Sequence, residues 1–138
     1  MDIAFIIDSS GSIGRRNWER VKRFVKALVS KLDVSYYSTR VAAMAYSTDP
    51  EVVMRFNDYQ GTVEVNQGFD GMKYQRGYTY TDKALQLADS DLFQTSNGMR
   101  LSAPKVKSNL FCCCCCCFFI IILLWNHSAA AYFGGDNF

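Results

Sequence analysis

The first 107 residues contain no cysteine, and the whole 138-residue chain has only two prolines and a single histidine, His127. Without cysteine, this part of the chain has neither a disulfide framework nor a cysteine-rich zinc site. The lone histidine near the C-terminus leaves residues 1–107 without the base of a Ser-His-Asp triad. Neither sign of charge predominates, because the chain has 15 Lys and Arg residues and 13 Asp and Glu residues, a formal net charge of +2. The composition therefore predicts no nucleic-acid partner.

The last 31 residues lack charge almost entirely and hold only Asp136. All six cysteines lie here, contiguous from Cys112 to Cys117, without the spacing of a disulfide framework or a zinc site. Residues 110–125 are apolar but short of the roughly 20 residues that cross a bilayer as a helix. We therefore predict one domain over residues 1–107 and an atypical Cys/Phe/Ile-rich tail over 108–138, with a membrane span as the less favoured interpretation of the tail.

Four stretches predict the start of an α/β domain. Residues 3–7 form an unbroken apolar run, typical of a strand buried on both faces of a parallel sheet. Apolar residues then recur every three or four positions over 17–32 and predict an amphipathic helix, whose basic side we interpret as a solvated face. Residues 39–46 predict a second buried strand. After a Ser-Thr-Asp-Pro turn, residues 52–56 predict a short antiparallel strand at the sheet edge.

Two more helices are predicted further along the chain. A short one lies over residues 62–69 within a polar, glycine-rich segment. The other begins at Thr79, which we expect to act as its N-cap, with Asp82 three residues later as in a capping box. An apolar stripe carries this helix to about Phe93.

Asp8, Ser10 and Ser12 place a carboxylate and two hydroxyls at alternate positions directly after the first strand. Oxygen donors of this kind suit a hard divalent cation, and Mg²⁺ keeps several waters when protein ligands are few. The segment 8–12, Asp-Ser-Ser-Gly-Ser, resembles the metal-ion-dependent adhesion site of von Willebrand factor type A (vWA) domains, found in integrin I domains, matrilins and collagen VI. The resemblance extends from about Asp2 to Val106.

The resemblance implies a Rossmann-like α/β vWA fold that is incomplete in its C-terminal half. Such a fold has a central, mostly parallel sheet with one antiparallel edge strand and helices on both faces. The strand expected after Val106, ending in Thr-Asp-Gly, is missing. Residues 118–124 could take its place in the sheet by apolar character alone, but the interpretation we favour is an unstable or aggregation-prone product, with the apolar run as the hazard. The runs of identical residues in the tail are also typical of a retained intron, an alternative exon or a mistaken gene model.

The resemblance also implies a ligand set for Mg²⁺ or Mn²⁺, made of Asp8, Ser10, Ser12 and Thr79. Thr79 lies in Gly-Tyr-Thr-Tyr-Thr, where the family usually has Gly-Gly-Thr-x-Thr-Gly, and Thr81 is the alternative ligand. The second aspartate of the family site would belong to the missing Thr-Asp-Gly loop. Loss of such a supporting group typically lowers metal affinity ~10- to 100-fold.

No enzyme signature is complete in this chain. Aspartic proteases need Asp-Thr/Ser-Gly twice, and after Asp8 the glycine comes one position late with no second copy. A phosphate-binding loop needs Gly-Lys-Ser/Thr, which residues 11–15 do not contain. We therefore predict a protein without enzymatic activity.

The implied function is a divalent-cation-dependent adhesion module. Its expected partner is an extracellular matrix protein or collagen-like ligand, whose acidic side chain completes the metal shell. We expect the parent protein to be extracellular, although this chain has no signal peptide at its start. The alternative is a non-binding truncated or mis-spliced vWA remnant, associated with membranes through its apolar tail.

Overall fold

The computed structural model describes residues 1–103 and the backbone of residues 120–124. The strands are β1 (Asp2–Asp8), β2 (Arg40–Tyr46), β3 (Glu51–Met54) and β4 (Ile120–Leu124). The helices are α1 (Arg15–Val29), α2 (Thr62–Gly71) and α3 (Thr81–Leu87). A π-helical turn, Ala88–Leu92, continues α3 and ends within one residue of the predicted position.

The strands form one sheet in the order β3-β2-β1-β4. β1 and β2 are parallel over seven residue pairs, from Asp2 opposite Arg40 to Asp8 opposite Tyr46. Their carboxyl ends therefore meet at the same edge of the sheet, with Asp8 and Tyr46 side by side. β3 pairs antiparallel with β2, as predicted, because the connection between them is too short for a crossover helix.

The tail supplies the neighbour of β1 on its other side. β4 pairs antiparallel with β1, with Ile3 opposite Leu124 and Ile7 opposite Ile120. Tail residues thus occupy the position of the missing strand, which their apolar character allows, and they run opposite to β1. An apolar run can satisfy the backbone donors and acceptors of β1 in either direction, so its composition does not determine the direction. The cysteine run and the rest of the tail lie outside the described residues. Within the described part of the chain, no helix is both long enough and apolar enough to cross a membrane.

Helices cover both faces of the sheet, which confirms the predicted α/β architecture. Alternate side chains of β1 point to opposite faces, so that Phe5 packs with α1 and α2 whereas Ile6 packs with α3. Phe5 meets Phe69 of α2 edge to face, with ring centroids 5.5 Å apart. Among the described residues, α1 contributes the largest buried side chain, Trp18, which is 1% exposed. The sheet thereby holds its carboxyl edge between two packed layers.

An ion pair lies at the amino ends of β1 and β2, opposite the carboxyl edge of the sheet. Asp2 is 1% exposed, and its carboxylate accepts hydrogen bonds from the backbone N–H of Arg100 at 2.7 Å and from Nη2 of the same residue at 2.6 Å. The guanidinium also donates to the carbonyl oxygens of Met1 and Ser38, at 3.0 and 2.8 Å. Arg100 therefore ties the start of β1 to the loop that leads into β2.

Candidate metal centre

The loop that follows β1 brings three predicted ligands together. The Asp8 side chain is buried, and its Oδ1 accepts a hydrogen bond from the backbone N–H of Ser10 at 2.7 Å. This is the only hydrogen bond to that carboxylate among the described residues. The hydroxyl oxygens of Ser10 and Ser12 lie 3.1 Å apart, with Ser10 buried and Ser12 exposed. One carboxylate and two hydroxyls therefore lie on one turn at the carboxyl edge of the sheet, where open α/β sheets bind their ligands.

A tyrosine supports this loop from behind. The hydroxyl of Tyr74 accepts the backbone N–H of Gly14 at 3.0 Å and lies 3.2 Å from the carbonyl oxygens of Ser10 and Gly11. Its ring packs against Trp18 of α1, with centroids 6.1 Å apart. Tyr74 thus holds both ends of the ligand loop in place. The sequence analysis missed this residue, and its only signal was an aromatic side chain within a polar, glycine-rich segment.

A buried hydroxyl and amide network lies beside the loop, and it was also missed. Ser9 Oγ lies 3.0 Å from the carbonyl oxygen of Tyr46 and 3.1 Å from Gln75 Oε1. Ser47 Oγ donates to the same amide oxygen at 3.0 Å. Gln75 therefore joins the end of β1 to the end of β2 and fixes the position of the second loop, which begins directly after it.

The second loop is anchored to the first by its backbone. The N–H of Gly11 donates to the carbonyl of Gly77 at 3.0 Å. Gly77 has a φ of +95°, and a Cβ there would lie 2.5 Å from Thr48 Oγ1, so this position requires glycine. The backbone of Tyr78 is held in turn by a 3.0 Å hydrogen bond to the same Thr48 oxygen.

Thr79 is exposed in this loop and does not cap α3, so the predicted cap is wrong. The helix begins at Thr81, with Tyr80 as its N-cap and no side-chain cap bond. The cause is the hydrogen bond of 3.0 Å from the Tyr80 N–H to the Ser47 carbonyl, which holds the segment along the β2–β3 turn. Thr79 therefore lies outside the helix, in the exposed loop that precedes it.

Thr81, the alternative ligand, forms a hydrogen bond to the side chain of Tyr46, which lies beside Asp8 at the end of β2. Its Oγ1 donates to the hydroxyl of Tyr46 at 3.5 Å. Burial raises the pKa of Tyr46 above its ordinary value, the Thr81 hydrogen bond lowers it, and the nearby Asp8 carboxylate raises it again. The phenol is therefore neutral at physiological pH and lies within the field of Asp8.

The donor set as a whole is oxygen-rich and weakly charged. Among the described residues no three His, Cys, Asp or Glu side chains lie close enough to hold a metal, so the donors that accompany Asp8 in the predicted set are hydroxyls and not further carboxylates. Such a set fits a hard cation that keeps several of its waters, as Mg²⁺ does. It does not fit a structural zinc site, which requires four nitrogen, sulfur or carboxylate ligands.

The fold and this loop define an α/β domain with a candidate cation site at its sheet edge. The sequence model of the von Willebrand factor type A domain matches residues 2–107, and the chain belongs to that family. It is 38% identical to integrin alpha-X of Mus musculus over 105 residues, 76% of this chain and 9% of that protein. It is 36% identical to the collagen alpha-6(VI) chain of Homo sapiens over 102 residues, 74% of this chain and 4% of that one. The chain thus spans less than a tenth of the length of either relative.

Solved structures agree on the fold. Proximal thread matrix protein 1 from the mussel byssus superposes with a TM-score of 0.67 at 21% identity, over 72% of this chain and 27% of that one. A second structure of that protein, described as having a zinc-occupied MIDAS motif, gives a TM-score of 0.64 at 19% identity, over 69% of this chain and 26% of that one. At these identities the likeness supports the fold alone.

Proposed function

We propose that this chain is a divalent-cation-dependent protein-binding module. Its metal ligands are Asp8, Ser10, Ser12 and Thr79. The cation is Mg²⁺ or Mn²⁺, bound partly through water, and an acidic side chain of the partner takes an open coordination position. When bound, the cation supplies a positive charge that attracts this carboxylate. The chain's own residues orient the donors and keep the site rigid.

The observation that carries the proposal is the conformation of the first loop. Asp8 Oδ1 is occupied by the Ser10 N–H, a contact that turns the chain back so that the hydroxyls of Ser10 and Ser12 lie 3.1 Å apart. Tyr74 holds this turn in place, so its donors are already oriented before any ligand binds. Preorganisation of this kind reduces the free energy spent on ordering the site.

The site carries less negative charge than a complete family site. Only the carboxylate of Asp8 is present among the proposed ligands, and no Thr-Asp-Gly loop supplies a second aspartate. We therefore expect weak metal binding, ~10- to 100-fold below that of a site with the supporting carboxylate. A low site charge also leaves the bound cation more electrophilic toward an acidic partner.

The partner is proposed to be an extracellular matrix or collagen-like protein, and the parent protein to be extracellular. Relatives named as collagen, matrilin and von Willebrand factor chains support both statements. We also propose that residues 1–107 are the vWA part of the domain and that 108–138 are a separate kind of sequence, from which residues 120–124 add a strand to the sheet. The end of the family match at residue 107 supports this division.

Thermal unfolding with and without MgCl₂ tests the proposal. A ligand that binds only the folded state at about ten times its Kd adds about 1.4 kcal/mol of stability. We expect the melting temperature to rise with MgCl₂ for the unaltered chain and not for Asp8→Asn. This substitution keeps an oxygen that can accept the Ser10 N–H and removes the charge, so that loss of the metal effect is separated from loss of the turn.

Asp33→Asn is the matched control. Asp33 is an exposed aspartate whose side chain makes no hydrogen bond or ion pair with the described residues, and it lies before β2, far in sequence from the carboxyl edge. This variant should retain the full MgCl₂ effect. A melting temperature that does not respond to Mg²⁺ or Mn²⁺ in the unaltered chain would refute cation binding, and the absence of any cooperative melt would favour a truncated remnant.

A further inference from the structure

The net positive charge of the chain comes from one helix. α1 carries six of the 15 basic residues and only one acidic residue, Glu19. The remainder of the chain then holds nine basic and 12 acidic side chains. A formal net charge of +2 therefore conceals a strongly basic helix on an otherwise acidic chain.

The lysines and arginines of α1 differ in their partners. Lys22 pairs with Glu19 at 3.2 Å, and Lys26 pairs with Asp70 of α2 at 2.6 Å. The four arginines make no ion pair with any described residue. Arg20 reaches only the amide oxygen of Asn17, at 3.3 Å, and Arg23 only a carbonyl of its own helix. The carboxylates near α1 thus neutralise its lysines and leave its arginines uncompensated.

Three of these arginines share the outermost face of α1. At 100° per residue, Arg16, Arg20 and Arg23 fall within about 60° of one another, on the side opposite the buried Trp18 and Val25. Along the helix axis, Arg20 lies about 6 Å beyond Arg16, and Arg23 lies about 4.5 Å beyond Arg20. All three are exposed. Together they form a row, one side chain wide and about 10 Å long, which we call the arginine row.

The helix also places cations where they reduce its stability. The first turn of α1 has no acidic residue and contains Arg15 and Arg16, next to the positive end of the helix dipole. Cations at this end of a helix lower its stability, whereas acidic residues raise it. The basic face was interpreted from the sequence as a solvated surface. Uncompensated arginines in an unfavourable position instead favour a surface that binds an anion.

We propose that the arginine row of α1 binds a linear sulfated polysaccharide, at a surface separate from the cation site. The planar guanidinium fork fits sulfate oxygens in pairs, which ammonium groups do not. A single row of three charges matches a linear polymer better than a flat lipid surface, which would contact several sides of the helix. The choice of sulfate over phosphate depends on the proposed extracellular location.

Titration with a heparin oligosaccharide in the presence of EDTA tests this proposal. The full chain should bind, because the arginine row requires no metal, and affinity should fall steeply with salt. Arg16→Gln/Arg20→Gln/Arg23→Gln should lower affinity at least about tenfold and reduce the salt slope by about two to three. The same three positions changed to lysine should give an intermediate affinity, since the charge remains and the paired geometry is lost.

The control variant is Lys73→Gln/Arg76→Gln/Lys83→Gln, which removes the same charge from exposed positions outside α1. It should keep most of the affinity, and far-UV circular dichroism and melting should show all variants folded. Equal losses in the two triple glutamine variants would overturn the proposal, as would equal binding of fully desulfated heparin. Tighter binding of duplex DNA or of phosphatidylserine vesicles would assign the row to those partners instead. EDTA is present throughout, so this result does not depend on whether the chain binds Mg²⁺ in the melting experiments.

Discussion

Replacing Tyr74 with phenylalanine tests whether a hydroxyl outside the ligand set maintains the metal loop. The hydroxyl accepts the Gly14 N–H at 3.0 Å and lies 3.2 Å from the carbonyls of Ser10 and Gly11. Its removal leaves a half-buried N–H without its acceptor, which costs about 1–3 kcal/mol. The ring stays, so its contact with Trp18 is kept and no large cavity forms.

The free energy of unfolding should therefore fall by about 1–2 kcal/mol in urea, with an unchanged m value. A loss of this size corresponds to a decrease of roughly 4–16 °C in melting temperature for a domain of about 100 residues. Mg²⁺ should also stabilise the Tyr74→Phe variant less than the unaltered chain, because the loop donors are no longer held in one arrangement.

Tyr37→Phe is the matched control, because Tyr37 is 89% exposed and its hydroxyl makes no hydrogen bond with the described residues. Its stability and its response to Mg²⁺ should equal those of the unaltered chain. If Tyr74→Phe and Tyr37→Phe were equally stable, the supporting role assigned to the Tyr74 hydroxyl would be refuted.

Three further changes test other parts of the structure. Gly77→Ala should destabilise the domain by about 1–3 kcal/mol in urea unfolding, because it combines a φ of +95° with a Cβ 2.5 Å from Thr48 Oγ1; a neutral effect would contradict the loop geometry. Asp2→Ala should cost about 3–5 kcal/mol, since it leaves Arg100 without its buried counter-ion, and an effect below about 1 kcal/mol would show that the pair is solvated. Burial raises the pKa of Tyr46 above its ordinary value of 10.0, so the folded state retains the phenol proton longer than the unfolded chain and its stabilisation is lost as pH rises above 10.0. Tyr46→Phe should remove that decline when urea midpoints at about pH 9 and about pH 11 are compared, and an unchanged decline would assign it to other groups.

Local patterns were enough to predict most elements and three of the proposed ligands. The apolar run over residues 3–7 predicted a strand buried on both faces, and it lies in the middle of the sheet as β1. Asp8, Ser10 and Ser12 are close in sequence, so their convergence depends only on one turn that follows a strand. Such features are determined within a few residues and can be recognised without knowledge of the fold.

Features that depend on distant parts of the chain were missed or wrong. Tyr74 and Gln75 support a loop at least 60 positions earlier, at contacts that no local pattern contains. Thr79 has the residue type of a helix cap, but the hydrogen bond from Tyr80 to Ser47 moves the N-cap to Tyr80, one residue later. The direction of β4 could not be predicted either, because five apolar residues pair equally well in both directions.

The ion pair between Asp2 and Arg100 links folding to the order of synthesis. The two residues lie 98 positions apart, nearly the full length of the family match. A ribosome that adds about 5–20 residues per second makes the second of them about 5–20 s after the first. During that interval β1 exists without the cation that neutralises its buried carboxylate, so the native burial of Asp2 is not yet stable. The first strand of the domain to be made is therefore among the last to reach its native environment.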